Sequence, residues 1–276
     1  MFVTSFDNIK IFYTKSYSEK PKGTLLFVHG GFHGNHTLLN GLIEKFKQEY
    51  NIIAPDLRGR GDSDFPKDIE KHKLEDYAKD LYEIIKHEKI RKVNLVGISF
   101  GGLVSLKFAS MFPERTEKIV LISSAHRLDN LNLIIKLLIP FYLFLFDILS
   151  RLFSFLPEKR KKNIIYPALG GVFEQVKYGW TIISNNSFKT ILLRHQIMKK
   201  CKEFGISIKE LKQIKKKILL IYGKKDFYFP YKIQKELMEG TKCEIITPDK
   251  VGHDFYFKND SLIINPIKKF FHKKSA

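Results

Sequence analysis

Val96-Gly97-Ile98-Ser99-Phe100-Gly101-Gly102 ends one kind of segment and begins another. Before it runs Lys92-Val93-Asn94-Leu95-Val96, a short apolar run that reads as a buried strand. After it, Leu103 to Ala109 carries helical spacing. A strand that turns sharply into a helix with serine at the apex has the pattern of a nucleophile elbow, Gly-x-Ser-x-Gly. The chemistry requires the glycines. The apical residue adopts a strained backbone, so the positions two before and two after it cannot carry side chains that collide with strand or helix. The hydroxyl is thereby exposed at a helix N-terminus, where backbone N–H groups point toward developing negative charge. Taken alone, the pentapeptide also fits a glycine-bearing turn whose serine merely caps the helix, the alternative to the nucleophile elbow.

Working outward toward the N-terminus, Phe2–Phe6 and Ile9–Thr14 alternate around Asp7-Asn8 and read as a two-stranded hairpin. Thr24-Leu25-Leu26-Phe27-Val28 is a continuous apolar strand of the kind found in parallel sheets covered on both faces. It ends in His29-Gly30-Gly31-Phe32-His33-Gly34, where backbone amides can approach a ligand closely; a plain flexible loop fits the same spacing. Leu38, Leu39, Leu42, Ile43 and Phe46 predict a helix, and Asn51–Ala54 a further strand. The loop Asp56–Asp64 leaves that strand, and a helix over Leu74–Ile85 leads to the elbow. Beyond the elbow, Lys118–Ile122 is another buried strand. Strands alternating with amphipathic helices predict an α/β sandwich with a mostly parallel sheet, whose ligands bind beyond the carboxyl ends of its strands.

A chain of 276 residues is long enough for one large domain, or one domain with an insertion. Its formal net charge of +19 comes from scattered lysines, with few arginines and no single basic stripe. That speaks against a nucleic-acid face and leaves attraction to anionic membrane surfaces as the alternative to plain solubility. Cys201 and Cys243 have neither metal-ligand nor redox spacing, so no zinc site or disulfide framework is expected. Met1–Asp7 lacks a basic segment followed by a long apolar core, so the expected location is the cytoplasm.

The strand–helix rhythm breaks after Ser123-Ser124-Ala125 and resumes at Lys217–Ile221. Leu131–Phe153 is almost wholly apolar. Lys136, Asp147 and Arg151 interrupt it and Pro140 splits it, so its uncharged run is too short to span a bilayer. The expected organisation is a core of residues 1–125 and 215–276 with an inserted helical cap at 126–214. An interfacial helix lying on a membrane is the alternative for the apolar segment.

After the break, the strand Lys217–Tyr222 runs into Gly223-Lys224-Lys225-Asp226, and a helix Tyr231–Met238 and a strand Cys243–Ile246 follow. Val251-Gly252-His253 comes next, and a terminal helix around Ile264–Phe271 closes the chain. Ser99, Asp226 and His253 each lie just past a predicted strand. A serine hydroxyl is a poor nucleophile at neutral pH. It needs an imidazole to take its proton and a carboxylate to fix the imidazole's tautomer. Singly, His253 reads as a loop histidine and Asp226 as a cap or turn residue; together with the elbow they form one constellation.

These pieces resemble the α/β-hydrolase superfamily. The matching residues are His29-Gly30-Gly31, the Asp56-x-Arg58-Gly59-x-Gly61-x-Ser63 loop, Gly97–Gly101, Tyr222-Gly223-x-x-Asp226 and Gly252-His253. The resemblance covers nearly all of the chain outside the cap, and is nearest the capped branch with monoacylglycerol-lipase-like and carboxylesterase-like members. It implies an eight-stranded, mostly parallel sheet with helices on both faces. It also implies Ser99 as nucleophile, His253 as general base and then acid, and Asp226 as its orienting partner. The N–H groups of Phe100 and Gly31, with Phe32 as the fallback, would form the oxyanion hole. A serine nucleophile, rather than aspartate, separates the chain from the dehalogenase and epoxide-hydrolase branches. The Asp56–Ser63 loop is expected to be structural, and His33 and His36 to be loop histidines unless they meet substrate. The expected function is cofactor-independent, metal-free hydrolysis of a carboxylic ester with a hydrophobic acyl group. The alternatives are carbon–carbon or amide hydrolysis, acyl transfer, or a non-catalytic binding protein on the same fold.

Overall fold

The computed structural model describes residues 1–31, 34–128, 196–197, 200, 204–226, 228–253, 255–257 and 260–273. Thr24–Val28 (β3) is buried at every position. Its period-2 geometry sends Leu25 and Phe27 into one core layer with Phe46 and Phe270. Leu26 and Val28 enter the opposite layer with Tyr77, Leu81, Leu103 and Phe108. The same division repeats along Asn51–Pro55 (β4), Val93–Ile98 (β5), Thr116–Ile122 (β6) and Lys217–Ile221 (β7). Strands without a polar face must be covered on both sides, and this is why the apolar runs are continuous.

With Phe2–Thr4 (β1), Lys10–Ser16 (β2) and Cys243–Ile246 (β8), these strands form one eight-stranded sheet in the order β1-β2-β4-β3-β5-β6-β7-β8. The β1–β2 and β2–β4 pairings are antiparallel and the remaining five are parallel. Leu74–His87 (α2), Phe100–Met111 (α3), Ile208–Gln213 (α4) and Tyr231–Gly240 (α5) contribute to one layer. Asn40–Glu44 (α1) and Asp260–His272 (α6) contribute to the other. This is the α/β-hydrolase architecture expected from the sequence.

One element is shorter than its spacing suggests. The apolar positions from Leu38 to Phe46 predict a single helix, but His36–Leu39 forms a 3-10 turn and α1 has five residues. Asn40-Gly41 at that junction has poor helix propensity, and Phe46 reaches the core through a further turn.

The cap expected at 126–214 falls mostly outside the described residues. At its edges the Leu128 N–H donates to the Phe204 carbonyl and the Ile206 N–H to the His126 carbonyl, at 2.9 and 2.8 Å. The chain therefore leaves and re-enters the core side by side. Leu211 of α4 is fully buried in the core layer of α3 and α5.

Candidate functional site

Parallel pairing aligns the strand ends, and the ladder continues one residue beyond each strand. The Ser99 N–H donates to the Ile122 carbonyl, the Ser123 N–H to Ile221 and the Tyr222 N–H to Ile246, at 2.9, 2.9 and 3.1 Å. Residues that directly follow β5, β6 and β7 are thus set in a row along one edge of the sheet.

Ser99 has φ +52° and ψ −119°, a conformation that costs on the order of 1–3 kcal/mol for a residue with a Cβ. The surroundings enforce it. A Cβ on Gly97 would stand 2.5 Å from the Gly102 Cα, and one on Gly101 would stand 2.1 Å from the Val28 carbonyl oxygen. Both elbow glycines are required by close approach, the first between strand and helix, the second between helix and the β3 end. The Ser99 carbonyl accepts hydrogen bonds from the Gly102 N–H at 3.0 Å and from the Ser124 hydroxyl at 2.7 Å.

The Ser99 Oγ lies 3.0 Å from His253 Nε2, and His253 Nδ1 lies 2.9 Å from Asp226 Oδ2. Three residues separated by up to 154 positions are therefore joined in one relay. The Asp226 side chain is buried. Its Oδ1 accepts from the Tyr228 and Phe229 N–H groups, both at 2.9 Å, which leaves Oδ2 for the imidazole. A carboxylate facing Nδ1 demands a proton there, so in the neutral ring the Nε2 lone pair faces the Ser99 hydroxyl. Tyr228 and Phe229 pack on the imidazole with ring centroids 4.7 and 5.3 Å away.

The glycine turn after β3 lies against the elbow: a Cβ on Gly30 would meet the Ser99 Cβ at 2.8 Å. Gly31 has φ +75° and its carbonyl accepts from Arg60 Nε at 3.1 Å. Phe100 opens α3 beside Ser99, and the Arg60 guanidinium sits 4.8 Å above its ring. Phe32 and His33 lie outside the described residues. His29 underpins the turn. The Leu57 N–H donates to its Nε2 at 3.1 Å, so Nδ1 carries the proton and donates to the Gly30 carbonyl at 2.9 Å. Complete burial, against the attraction of the nearby Asp56 carboxylate, pushes His29 down to about 4 and keeps it neutral.

The Asp56–Asp64 loop is a self-bonded turn. The buried Asp56 carboxylate accepts from the His36 N–H and Nδ1, at 2.8 and 2.7 Å, and from the Asp62 N–H at 2.8 Å. Burial works against its charge, and these hydrogen bonds outweigh it, holding the carboxyl below its usual range. Arg58 makes a buried bidentate pair with Asp80, at 2.7 and 2.6 Å. His36 is thereby a partner of Asp56 within the scaffold.

Sequence reasoning missed Arg60, Ser123, Ser124 and Gln234, which surround the relay. The Ser123 hydroxyl donates to the His253 carbonyl at 2.6 Å, and Gln234 Nε2 donates to the Ser124 carbonyl at 2.9 Å. The signal for the two serines is present in the sequence: they directly follow a core strand, as Ser99 does. Among the described residues there is no cluster of three or more potential metal ligands, and no helix is long and apolar enough to cross a membrane. A cavity of about 380 Å³ at the opposite edge of the sheet is lined by Lys22, Asn94 and Lys118 among others. There Lys22 pairs with Glu49 and Lys118 donates to the carbonyls that end α6.

The sequence model of a family described as alpha/beta hydrolase fold matches residues 23–260. An uncharacterized protein of Mycobacterium tuberculosis is 30% identical over 125 residues, 45% of this chain and 36% of that protein. Epoxide hydrolase 4 of Mus musculus is 31% identical over 119 residues, 42% of this chain and 32% of that protein. The matches thus span about a third of the length of these curated relatives. Among solved structures, an esterase from Exiguobacterium antarcticum superposes with a TM-score of 0.74 at 17% identity, covering 99% of both chains.

Proposed function

The chain belongs to the alpha/beta hydrolase fold family, and from that premise we propose that it cleaves carboxylic esters through an acyl-enzyme formed on Ser99. The observation that supports this reading most is the unbroken relay from Ser99 Oγ through His253 to Asp226, at 3.0 and 2.9 Å. Ser99 Oγ attacks the carbonyl carbon as its proton passes to His253 Nε2, and Asp226 stabilises the resulting imidazolium. The N–H groups of Phe100 and Gly31 hold the oxyanion. As the tetrahedral centre collapses, the bond to the alcohol breaks and His253 returns the proton to the departing oxygen. Water then attacks the acyl ester, with His253 again as base, and Ser99 is released with its proton.

The nucleophile favours esters over epoxides. Opening an epoxide with a serine hydroxyl would leave an ether, which water does not cleave, whereas acylation leaves an ester that it does. An inserted helical cap at 126–214 would line the acyl pocket with the apolar Leu131–Phe153 segment, which favours a hydrophobic acyl group. The net charge of +19 would favour contact with anionic lipid surfaces, and a location in the cytoplasm is compatible with both.

A fluorophosphonate probe applied to the purified protein and to Ser99→Ala tests the nucleophile, and p-nitrophenyl esters from acetate to palmitate test the acyl group. The expected outcome is labelling that disappears in the variant, with turnover rising toward longer chains. A folded wild-type protein that takes no label would refute the hydrolase reading, and a strong preference for acetate would refute the hydrophobic acyl group.

A further inference from the structure

Ser123 follows β6 with φ +45°, in the left-handed region that disfavours a residue bearing a Cβ. Glycine would adopt this backbone freely, and the methylene of serine adds nothing that would offset the strain. The hydroxyl does. It is fully buried and donates to the carbonyl of His253 at 2.6 Å, spanning 130 positions of sequence. The ladder bond from its own N–H to the Ile221 carbonyl fixes Ser123 to the edge of β7. The neighbouring Ser124 hydroxyl donates to the carbonyl of Ser99, and the Ser124 carbonyl accepts from Gln234. One dipeptide at the end of a central strand therefore grips the main chain of both Ser99 and His253, the two residues whose side chains must stay within hydrogen-bond reach.

The His253 segment needs such a grip. It follows β8 by seven residues, in a loop outside any ladder. The imidazole is aligned by Asp226 at Nδ1, but a ring hinged at its Cβ still moves with its backbone. We propose that Ser123 is a positioning residue for the hydrolytic reaction, holding the His253 backbone by its hydroxyl so that Nε2 stays aligned with the Ser99 Oγ. This rests on the serine-hydrolase reading given above.

Two variants separate the hydroxyl from the backbone strain. Ser123→Ala removes the hydroxyl and keeps the strained Cβ, and Ser123→Gly removes the hydroxyl and relieves the strain. With p-nitrophenyl butyrate, both should lower kcat about ten- to a hundredfold with KM within about twofold, since a small misalignment of the base affects the chemical step. Fluorophosphonate labelling of Ser99 should slow in parallel, and Ser123→Gly should melt at or above the temperature of Ser123→Ala. Wild-type kcat in both variants would overturn the proposal. So would recovery of activity in Ser123→Gly, because the loss in Ser123→Ala would then come from strain. Wild-type protein that takes no label would overturn the hydrolase reading and this role together; labelled wild type with unaffected variants would overturn this role alone.

Discussion

Replacing His72 by glutamine should flatten the dependence of stability on pH between 7 and 5. His72 is 1% exposed, with Nε2 donating to the Pro66 carbonyl at 2.9 Å and Nδ1 3.3 Å from the Tyr77 hydroxyl. Burial, reinforced by the charges of Arg60 and Arg58, pushes its pKa down to about 4. His29 is likewise pushed down to about 4. In the unfolded chain both would titrate near 6.5. Between pH 6.5 and 4 the unfolded state binds more protons than the folded state, so stability is complete above about 6.5 and declines as pH falls toward 4. From pH 7 to 5 each histidine accounts for a loss of about 2 kcal/mol, and the pair about 4 kcal/mol. Asp80 works the other way: burial, only partly offset by Arg58, pushes it up to about 6. It takes up a proton in the folded state over the same interval and offsets about 1 kcal/mol of the loss. Glu88, bonded by Lys15, Tyr13 and Tyr17, is held at about 2. Urea unfolding followed by far-UV circular dichroism at pH 7, 6 and 5 measures the slope directly. The His72→Gln variant should lose about 2 kcal/mol less than the wild type over that interval. Parallel lines for the two proteins would refute the argument, as would a wild type whose stability is flat between pH 7 and 5.

Asp226→Asn should lower kcat on the order of ten-thousandfold, measured with a p-nitrophenyl ester. The N–H groups of Tyr228 and Phe229 hold the side-chain oxygen, so the new amide NH₂ faces Nδ1 and forces the His253 proton onto Nε2; retention of a tenth of the activity would contradict this. Gly101→Ala puts a methyl group 2.1 Å from the Val28 carbonyl oxygen and 2.5 Å from that of His29. It should cost about 3 kcal/mol in denaturant unfolding and slow probe labelling, and a variant as stable as wild type would show that the elbow can shift.

The local chemistry of this protein is legible along the chain. Thr24–Val28, Val93–Ile98 and Lys217–Ile221 are apolar at nearly every position, and such runs become strands only if both faces are covered. Ser99, Asp226 and His253 are legible because each follows a predicted strand with a glycine nearby, and Gly97, Gly101 and Gly223 mark places where backbones approach too closely for a Cβ. Helix length was less legible: the Leu38–Phe46 spacing was right about the buried face and wrong about the continuity, because Asn40-Gly41 interrupts it.

What sequence alone determined is therefore the layered sheet, the elbow and the identity of the three relay residues, since period, turn chemistry and position after a strand are local properties. Tertiary structure alone decided which strand lies beside which, with β4 between β2 and β3. It also decided which polar groups meet across the sheet edge: Ser123 with His253, Arg60 with Gly31, and His36 with Asp56. Nothing local to Ser123 encodes a bond to a carbonyl 130 residues away. That contact exists because parallel pairing sets the residue after β6 against the edge of β7, where the loop after β8 brings the His253 carbonyl within reach of the Ser123 hydroxyl.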